Sequence, residues 1–138
     1  FYCFWDVAMI TFKWTDIGNF YCTLIDKVFA VCDYYLQDKP HRNARHLYDI
    51  YKLTEYVDMD SDFLELVNEV RAHRITMGSE IAPAAPLDVN IVELVQKLCD
   101  EDFYKEDYRE TTLKLISDSL GYEMLKMHYK ELVKKMFS

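Results

Sequence analysis

The sequence has little of the two residues that interrupt regular structure, with only three glycines and three prolines among 138 residues. Turn-rich all-β folds and long disordered segments need many more of both, so their scarcity excludes these classes. Hydrophobic residues make up 51% of the chain, including 11 tyrosines, eight phenylalanines and two tryptophans. A chain of this length and composition buries a core without disulfides or a structural metal, which predicts one mainly helical domain over residues 1–138.

Positive charge is also scarce, because 16 Lys and Arg residues face 24 Asp and Glu residues and leave a net charge of −8. Broad, non-specific adhesion to nucleic acid needs the opposite balance and is therefore excluded. One local exception, which we name the basic strip, carries four cations, two interleaved histidines and a single acid: Lys39, His41, Arg42, Arg45, His46, Asp49 and Lys52. It predicts a local contact with RNA or a protein partner through Lys39, Arg42 and Lys52.

Closely spaced metal or redox ligands are absent. The four cysteines (Cys3, Cys22, Cys32, Cys99) are scattered, and no His-x3-His or His-Glu-x-x-His arrangement occurs. This pattern predicts reduced thiols and no zinc site. No segment resembles a signal peptide, and no apolar run reaches the roughly 18 residues that a bilayer span requires, so we expect a cytoplasmic protein without membrane contact.

The chain begins Phe1-Tyr2-Cys3 without an initiator Met, which is typical of a fragment. Large apolar side chains cluster here, at Phe1, Tyr2, Phe4 and Trp5. Because exposed apolar patches favour association, we expect self-association when this segment is uncovered.

Hydrophobic periodicity predicts a helical bundle edged by a short β segment. Residues Val7 to Trp14 favour a strand, followed by a turn at Gly18-Asn19. Thr23 and Asp26 resemble a capping box, Asn43 is a predicted N-cap, and a surface loop is predicted over 78–90. The predicted helices are 24–37, 43–56, 61 to about 77, 91–99, 105–118 and 122–137.

Asp58, Asp60, Asp62 and Glu69 match positions 1, 3, 5 and 12 of a calcium-binding EF-hand loop. Position 6, where that loop needs Gly, is Phe63. Acids before a helix are explained by capping and by the helix dipole, so we predict no calcium site.

A candidate site lies where the first two long predicted helices meet. Arg45 and Asp49 are four residues apart and share a helix face. With antiparallel packing across the 38–43 connection, Lys27 lies about 15 Å and Asp49 about 9 Å from the turn at 1.5 Å rise per residue. A long side chain spans that offset, so Lys27, Arg45 and Asp49 can form one cluster that suits a nucleoside triphosphate. A solvated Lys27 beside a surface ion pair is the alternative.

Two stretches, Thr23 to Leu36 (TLIDKVFAVCDYYL) and Arg45 to Leu53 (RHLYDIYKL), resemble the AbiEii/AbiGii-type nucleotidyltransferase toxin family. Two further stretches fit the same pattern, at 66–74 (LVNEVRAHR) and 103–108 (FYKEDY). The resemblance covers about residues 21–125. It implies that the chain is the helical half of an α+β nucleotidyltransferase, with residues 1–20 a remnant of the preceding α/β domain and 21–138 the helical region.

The resemblance implies a toxin of a bacterial toxin-antitoxin or abortive phage-infection system that transfers nucleotides from NTPs with Mg²⁺. It casts Lys27 and Arg45 as nucleotide-binding and Asp49 as catalytic, whereas His46 stands where many members have an acid. Further implied partners are a cognate antitoxin and a tRNA acceptor. The family's metal-binding carboxylates have no counterpart here, so this chain alone is expected to be inactive, without a metal site or cofactor of its own.

A second hypothesis is a non-catalytic helical interaction module that keeps the family's scaffold. It would bind a protein partner or RNA through the basic strip.

Overall fold

The protein is mainly helical, as predicted. A computed structural model describes the backbone of residues 13–116 and 120–137, with side chains from residue 20 onward, and this part of the chain contains no strand. The helices are α1 (Lys13–Leu36), α2 (Arg45–Thr54), α3 (Ser61–Thr76), α4 (Ile91–Asp100), α5 (Lys105–Asp107), α6 (Leu113–Leu115) and α7 (Tyr122–Phe137), with a π-helical turn (Tyr108–Thr112) between α5 and α6.

Helix α1 lies at the centre of the bundle, because it contacts α2, α3 and α4, while α7 packs against α2 and α4. Its apolar side chains recur at helical spacing and on several faces, and the following are fully buried: Leu24, Ile25, Val28, Phe29, Val31 and Cys32. A helix that is apolar on more than one face must be covered by neighbours on each of them. This explains why α2, α3 and α4 pack directly against α1.

The beginning of α1 differs from prediction. Lys13, Trp14, Gly18 and Asn19 are helical, so the predicted turn and the last part of the predicted strand are wrong, and residues 7–12 lie outside the described part of the chain. Thr23 lies inside α1 and is not a cap. The local sequence favours strand and turn, but the segment is helical because it continues into the buried part of α1 that follows. Helix α1 also runs through the domain boundary predicted at residue 20.

Helix α1 ends in a Schellman motif. The Asp38 amide donates to the Tyr35 carbonyl (3.1 Å) and the Lys39 amide to the Tyr34 carbonyl (2.8 Å). Asp38 takes φ +56°, a conformation that normally favours glycine. The end of the helix was predicted from Pro40, but the left-handed residue two positions earlier already completes it.

The N-terminus of α2 is capped by a distant side chain. Asn43 was predicted as the N-cap, but its side-chain amide donates to the Lys39 carbonyl, and the capping position is Ala44. The buried carboxylate of Asp107 accepts hydrogen bonds from the backbone amides of Arg42 (2.8 Å) and Ala44 (3.0 Å). An acceptor 63 residues away therefore replaces the local cap.

Helix α3 follows the prediction. Asp60 is its N-cap and accepts a hydrogen bond from the Phe63 amide at 3.0 Å. Phe63, Leu66, Val67 and Val70 are buried as expected. Among the acids that imitate an EF-hand, Asp58 and Asp60 precede the helix and Asp60 caps it, whereas Asp62 and Glu69 lie within it. Gly78, at φ +92°, directly follows its C-cap.

Segment 78–90 is irregular as predicted, but it is not simply a surface loop, since Ala82, Ala84 and Ala85 are buried. Arg71 holds it by donating to the carbonyls of Ala85 (2.7 Å), Pro86 (2.8 Å) and Val89 (2.9 Å). These carbonyls have no strand or helix to pair with, and the guanidinium supplies the donors that their burial requires.

A buried ion network joins α3 to α1. Arg74 pairs with Asp26 and Asp33, and the second carboxylate also accepts from the Ala84 amide at 2.8 Å. Burial raises the pKa of Asp33, although Arg74 and the Ala84 amide act in the opposite direction. Arg74 lies in the last turn of α3 and is buried in the interior.

The predicted helix 105–118 is broken. It divides into α5, the π-helical turn and α6, and Ile116 is already extended. Buried Tyr108 donates to the Leu120 carbonyl at 2.6 Å. This long-range anchor favours a locally wider turn over a regular α-helix.

Helix α7 has the predicted bounds 122–137. Its Tyr129 hydroxyl reaches α1, donating to the Val28 carbonyl at 2.9 Å and lying 3.4 Å from the Cys32 Sγ. Cys32 and Cys99 are free and buried, and burial raises the pKa of each thiol to about 12.

None of the helices in the described part of the chain is both long and apolar enough to cross a bilayer.

Candidate functional site

The packing of α1 on α2 brings Lys27 and Asp49 together. The Lys27 ammonium donates to Asp49 Oδ2 at 3.1 Å, and the two side chains are 23% and 37% exposed. The two residues are 22 positions apart, so the antiparallel packing inferred from the short connection is correct. The pair lies at the protein surface with its charges accessible, which is what an ionic ligand requires.

His46 completes the cluster. Its Nδ1 lies 3.4 Å from the Lys27 Nζ, and its ring stacks on that of Tyr34, with centroids 5.8 Å apart and planes inclined by 10°. Burial, followed by the charges of Lys27 and Arg45, lowers the pKa of His46 to about 4. The ring is therefore neutral at pH 7 and can accept a hydrogen bond from the Lys27 ammonium.

Arg45 does not join this cluster through a direct contact. It is exposed and lines a separate cavity of about 520 Å³ together with Arg42, Glu110, Thr111, Thr112, Lys114 and Leu115. Its charge acts on the His46 ring. The predicted trio thus divides into a Lys27–Asp49 pair, joined by His46, and an arginine that faces a different opening.

The basic strip is also divided in space. Lys39 and Arg42 are exposed on the connection between α1 and α2, where Arg42 takes φ +65°. Lys52 lies two turns along α2, with its Nζ 5.6 Å from the centroid of the Tyr48 ring. Arg42 and Arg45 of the strip line one cavity together.

The structure adds residues that sequence reasoning missed. Tyr34 stacks on His46, Lys114 is a third cation at the cavity of Arg42 and Arg45, and Asp107 connects the two walls of that cavity. Lys114 and Asp107 lie at least 55 residues from the basic strip in sequence, so no spacing rule links them to it. Tyr34 and Lys27 are seven residues apart on a helix, which was the one available signal.

No group of three or more His, Cys, Asp or Glu side chains suited to a metal ion occurs among the residues that the structure describes. Lys27 carries an ammonium that can pair with an anion, and Asp49 carries a carboxylate that can accept a hydrogen bond. Comparison of the chain with known protein families, with curated proteins and with solved structures found no match.

Proposed function

We propose that this chain is the helical portion of an AbiEii/AbiGii-type nucleotidyltransferase toxin and that Lys27 contacts the phosphates of a nucleoside triphosphate. The observation that carries the proposal is the Lys27–Asp49 pair, formed between two stretches that resemble the family's motifs. A surface cation with a neighbouring carboxylate is suited to meet a triphosphate and a hydroxyl group together.

The local electrostatics support this role. The neutral His46 ring adds no positive charge beside Lys27. The Lys27 ammonium donates hydrogen bonds to Asp49 and His46, and these two contacts orient it. An ammonium has three donors, and these two contacts leave one for a phosphate oxygen. Asp49, with one oxygen paired to Lys27, has a second oxygen that can accept from a ribose or acceptor hydroxyl.

The reaction also needs Mg²⁺, which stabilises the attacking and leaving oxygens in nucleotide transfer. The chain has no counterpart of the family's paired acids, so we propose that transfer requires a nucleotidyltransferase domain that supplies them. On its own the chain would hold part of the NTP pocket and would be inactive. An antitoxin or a tRNA acceptor would be a partner of the whole assembly.

The test is calorimetric titration of NTP with Mg²⁺ into the full-length product of the reading frame, as wild type and as Lys27→Met. We expect the variant to bind about ten-fold more weakly or worse, because a hydrogen bond to a charged group contributes about 1.5–3 kcal/mol. Lys134→Met is the matched control, since Lys134 is exposed on α7.

Thermal unfolding of both variants separates binding from folding, because an exposed ion pair contributes only about 0–1 kcal/mol to stability. Equal affinity for NTP in wild type and Lys27→Met would contradict the proposal. The Lys27–Asp49 pair would then join α1 to α2 only, and the interaction-module hypothesis would gain support.

A further inference from the structure

The cavity beside α2 has the features of a second, separate anion site. It has a volume of about 520 Å³, and three of its seven lining residues are cations: Arg42, Arg45 and Lys114. One acid, Glu110, faces the same space. This local excess of positive charge stands out on a chain whose net charge is −8.

The two walls come from distant parts of the sequence and are joined by one buried side chain. Arg42 and Arg45 belong to the segment that leads into α2, whereas Glu110 and Lys114 belong to the segment from the π-helical turn to α6. Asp107, whose side chain is only 6% exposed, accepts from the backbone amides of Arg42 and Ala44 and so ties the first wall to the second. The two backbone segments that carry the cations are therefore joined before any ligand arrives.

The hydrogen-bond donors of this cavity that remain available to a ligand are the side chains of Arg42, Arg45 and Lys114. The Thr111 hydroxyl already donates to the Asp107 carbonyl at 2.7 Å, and Thr112 is buried. No ion pair joins Arg42, Arg45 or Lys114 to an acid among the described residues. The three cations outnumber the one acid of the cavity, Glu110, so they repel one another, and an anion between them relieves that repulsion.

We propose that this cavity binds the di- or triphosphate group of a small molecule, with Arg42 and Arg45 on one wall and Lys114 on the other. Guanidinium groups bind phosphate oxygens bidentately, and an ammonium adds a point charge. A small oligophosphate fits better than an extended nucleic acid, because the acidic remainder of the protein repels a long polyanion. The site uses neither Lys27 nor Asp49, so this proposal can be tested independently of the proposed function.

The experiment is a calorimetric titration of inorganic tripolyphosphate into the chain without Mg²⁺, at low ionic strength. We expect Arg45→Gln and Lys114→Gln each to weaken binding about ten-fold, since each removes charge-assisted hydrogen bonds. Glu110→Gln should tighten binding several-fold, because it removes the acid from the cavity. Lys134→Gln, on α7, is the matched control and should leave the affinity unchanged.

Several outcomes would overturn the proposal. If tripolyphosphate does not bind the wild type, or if the cavity variants bind it as tightly as Lys134→Gln does, the cavity is not a phosphate site. Tighter binding of a single-stranded RNA 12-mer than of tripolyphosphate, lost in the same variants, would identify a nucleic-acid contact instead. Loss of binding in Lys27→Met with no change in the cavity variants would place the anion at the Lys27–Asp49 pair. Circular dichroism of each variant guards against unfolding.

Discussion

Substitution of the buried Arg74 tests how much its ion pairs between α3 and α1 contribute to the stability of the fold. Its side chain is 8% exposed and pairs with Asp33, which is 3% exposed, and with Asp26, which is 27% exposed. In Arg74→Met the side chain keeps most of its apolar length, but both carboxylates lose their cation. Asp26 can turn to solvent, whereas Asp33 stays buried with only the Ala84 amide as a described donor.

The magnitude follows from that difference in burial. Breaking a buried ion pair by removing one partner costs about 3–5 kcal/mol, whereas the half-exposed pair adds only about 0–1 kcal/mol. We therefore expect Arg74→Met to lose about 3–5 kcal/mol in urea unfolding, a large fraction of the roughly 5–15 kcal/mol typical of a domain. Arg109→Met, an exposed arginine, is the control and should change stability by less than about 0.5 kcal/mol.

A second substitution tests the cause. Asn at position 33 keeps the acceptor for the Ala84 amide and removes the buried charge, so Arg74→Met/Asp33→Asn should be more stable than Arg74→Met by about 1–3 kcal/mol. The reasoning is refuted if Arg74→Met loses less than about 1 kcal/mol, or if the double variant is no more stable than the single one.

The same variant should respond to acid in a defined direction. Burial already raises the pKa of Asp33 above its usual 3.8, and loss of Arg74 raises it further. A carboxyl group whose pKa is higher in the folded state stabilises the fold below 3.8, and that contribution is lost as pH rises through the raised value. The deficit of Arg74→Met relative to wild type should therefore shrink between pH 7 and pH 4.5.

Three further predictions concern single residues. The pKa of His46 is lowered to about 4 in the folded state, so protonation of the ring favours unfolding. The free energy of unfolding in urea should therefore fall by about 1–2 kcal/mol between pH 7 and pH 5, and His46→Gln should not show this fall. Asp38 takes φ +56°, so Asp38→Gly should raise stability in thermal unfolding by about 0.5–1 kcal/mol and Asp38→Ala should not. Asp107→Ala leaves the amides of Arg42 and Ala44 without their acceptor and should cost about 2–3 kcal/mol in urea unfolding, with Asp107→Asn intermediate.

The two proposals place phosphate contacts at two different positions on the protein. Lys27 and Asp49 meet as the sequence led us to expect, but Arg45 faces a cavity that α6 completes. If both proposals hold, the protein has one phosphate contact between α1 and α2 and another between α2 and the 105–115 segment. The Lys27→Met and Lys114→Gln variants separate the two.

Helix content and most helical cores were determined locally and could be predicted. The apolar spacing in 122–137 and 61–76 matches α7 and α3. The cap of α3 is also local, because Asp60 lies three residues before Phe63, whose amide donates to it. The meeting of Lys27 with Asp49 was also accessible, because a short connection constrains two consecutive helices to pack side by side. In each case the interaction lies within one helix or between neighbours in sequence.

Only the tertiary structure decided the features that join distant segments. Local propensity at 13–19 favours strand and turn, yet this segment continues the most buried helix. Asp107 caps α2, Arg74 enters the core and Lys114 faces Arg45, although each pair is separated by more than 40 residues. A sequence pattern reports the period of one element and its local caps, whereas a buried charge or a cavity depends on which elements pack together. The physical reason is that a buried charged group must be paired or hydrogen-bonded, and the group that pairs with it can come from any segment that the fold brings near.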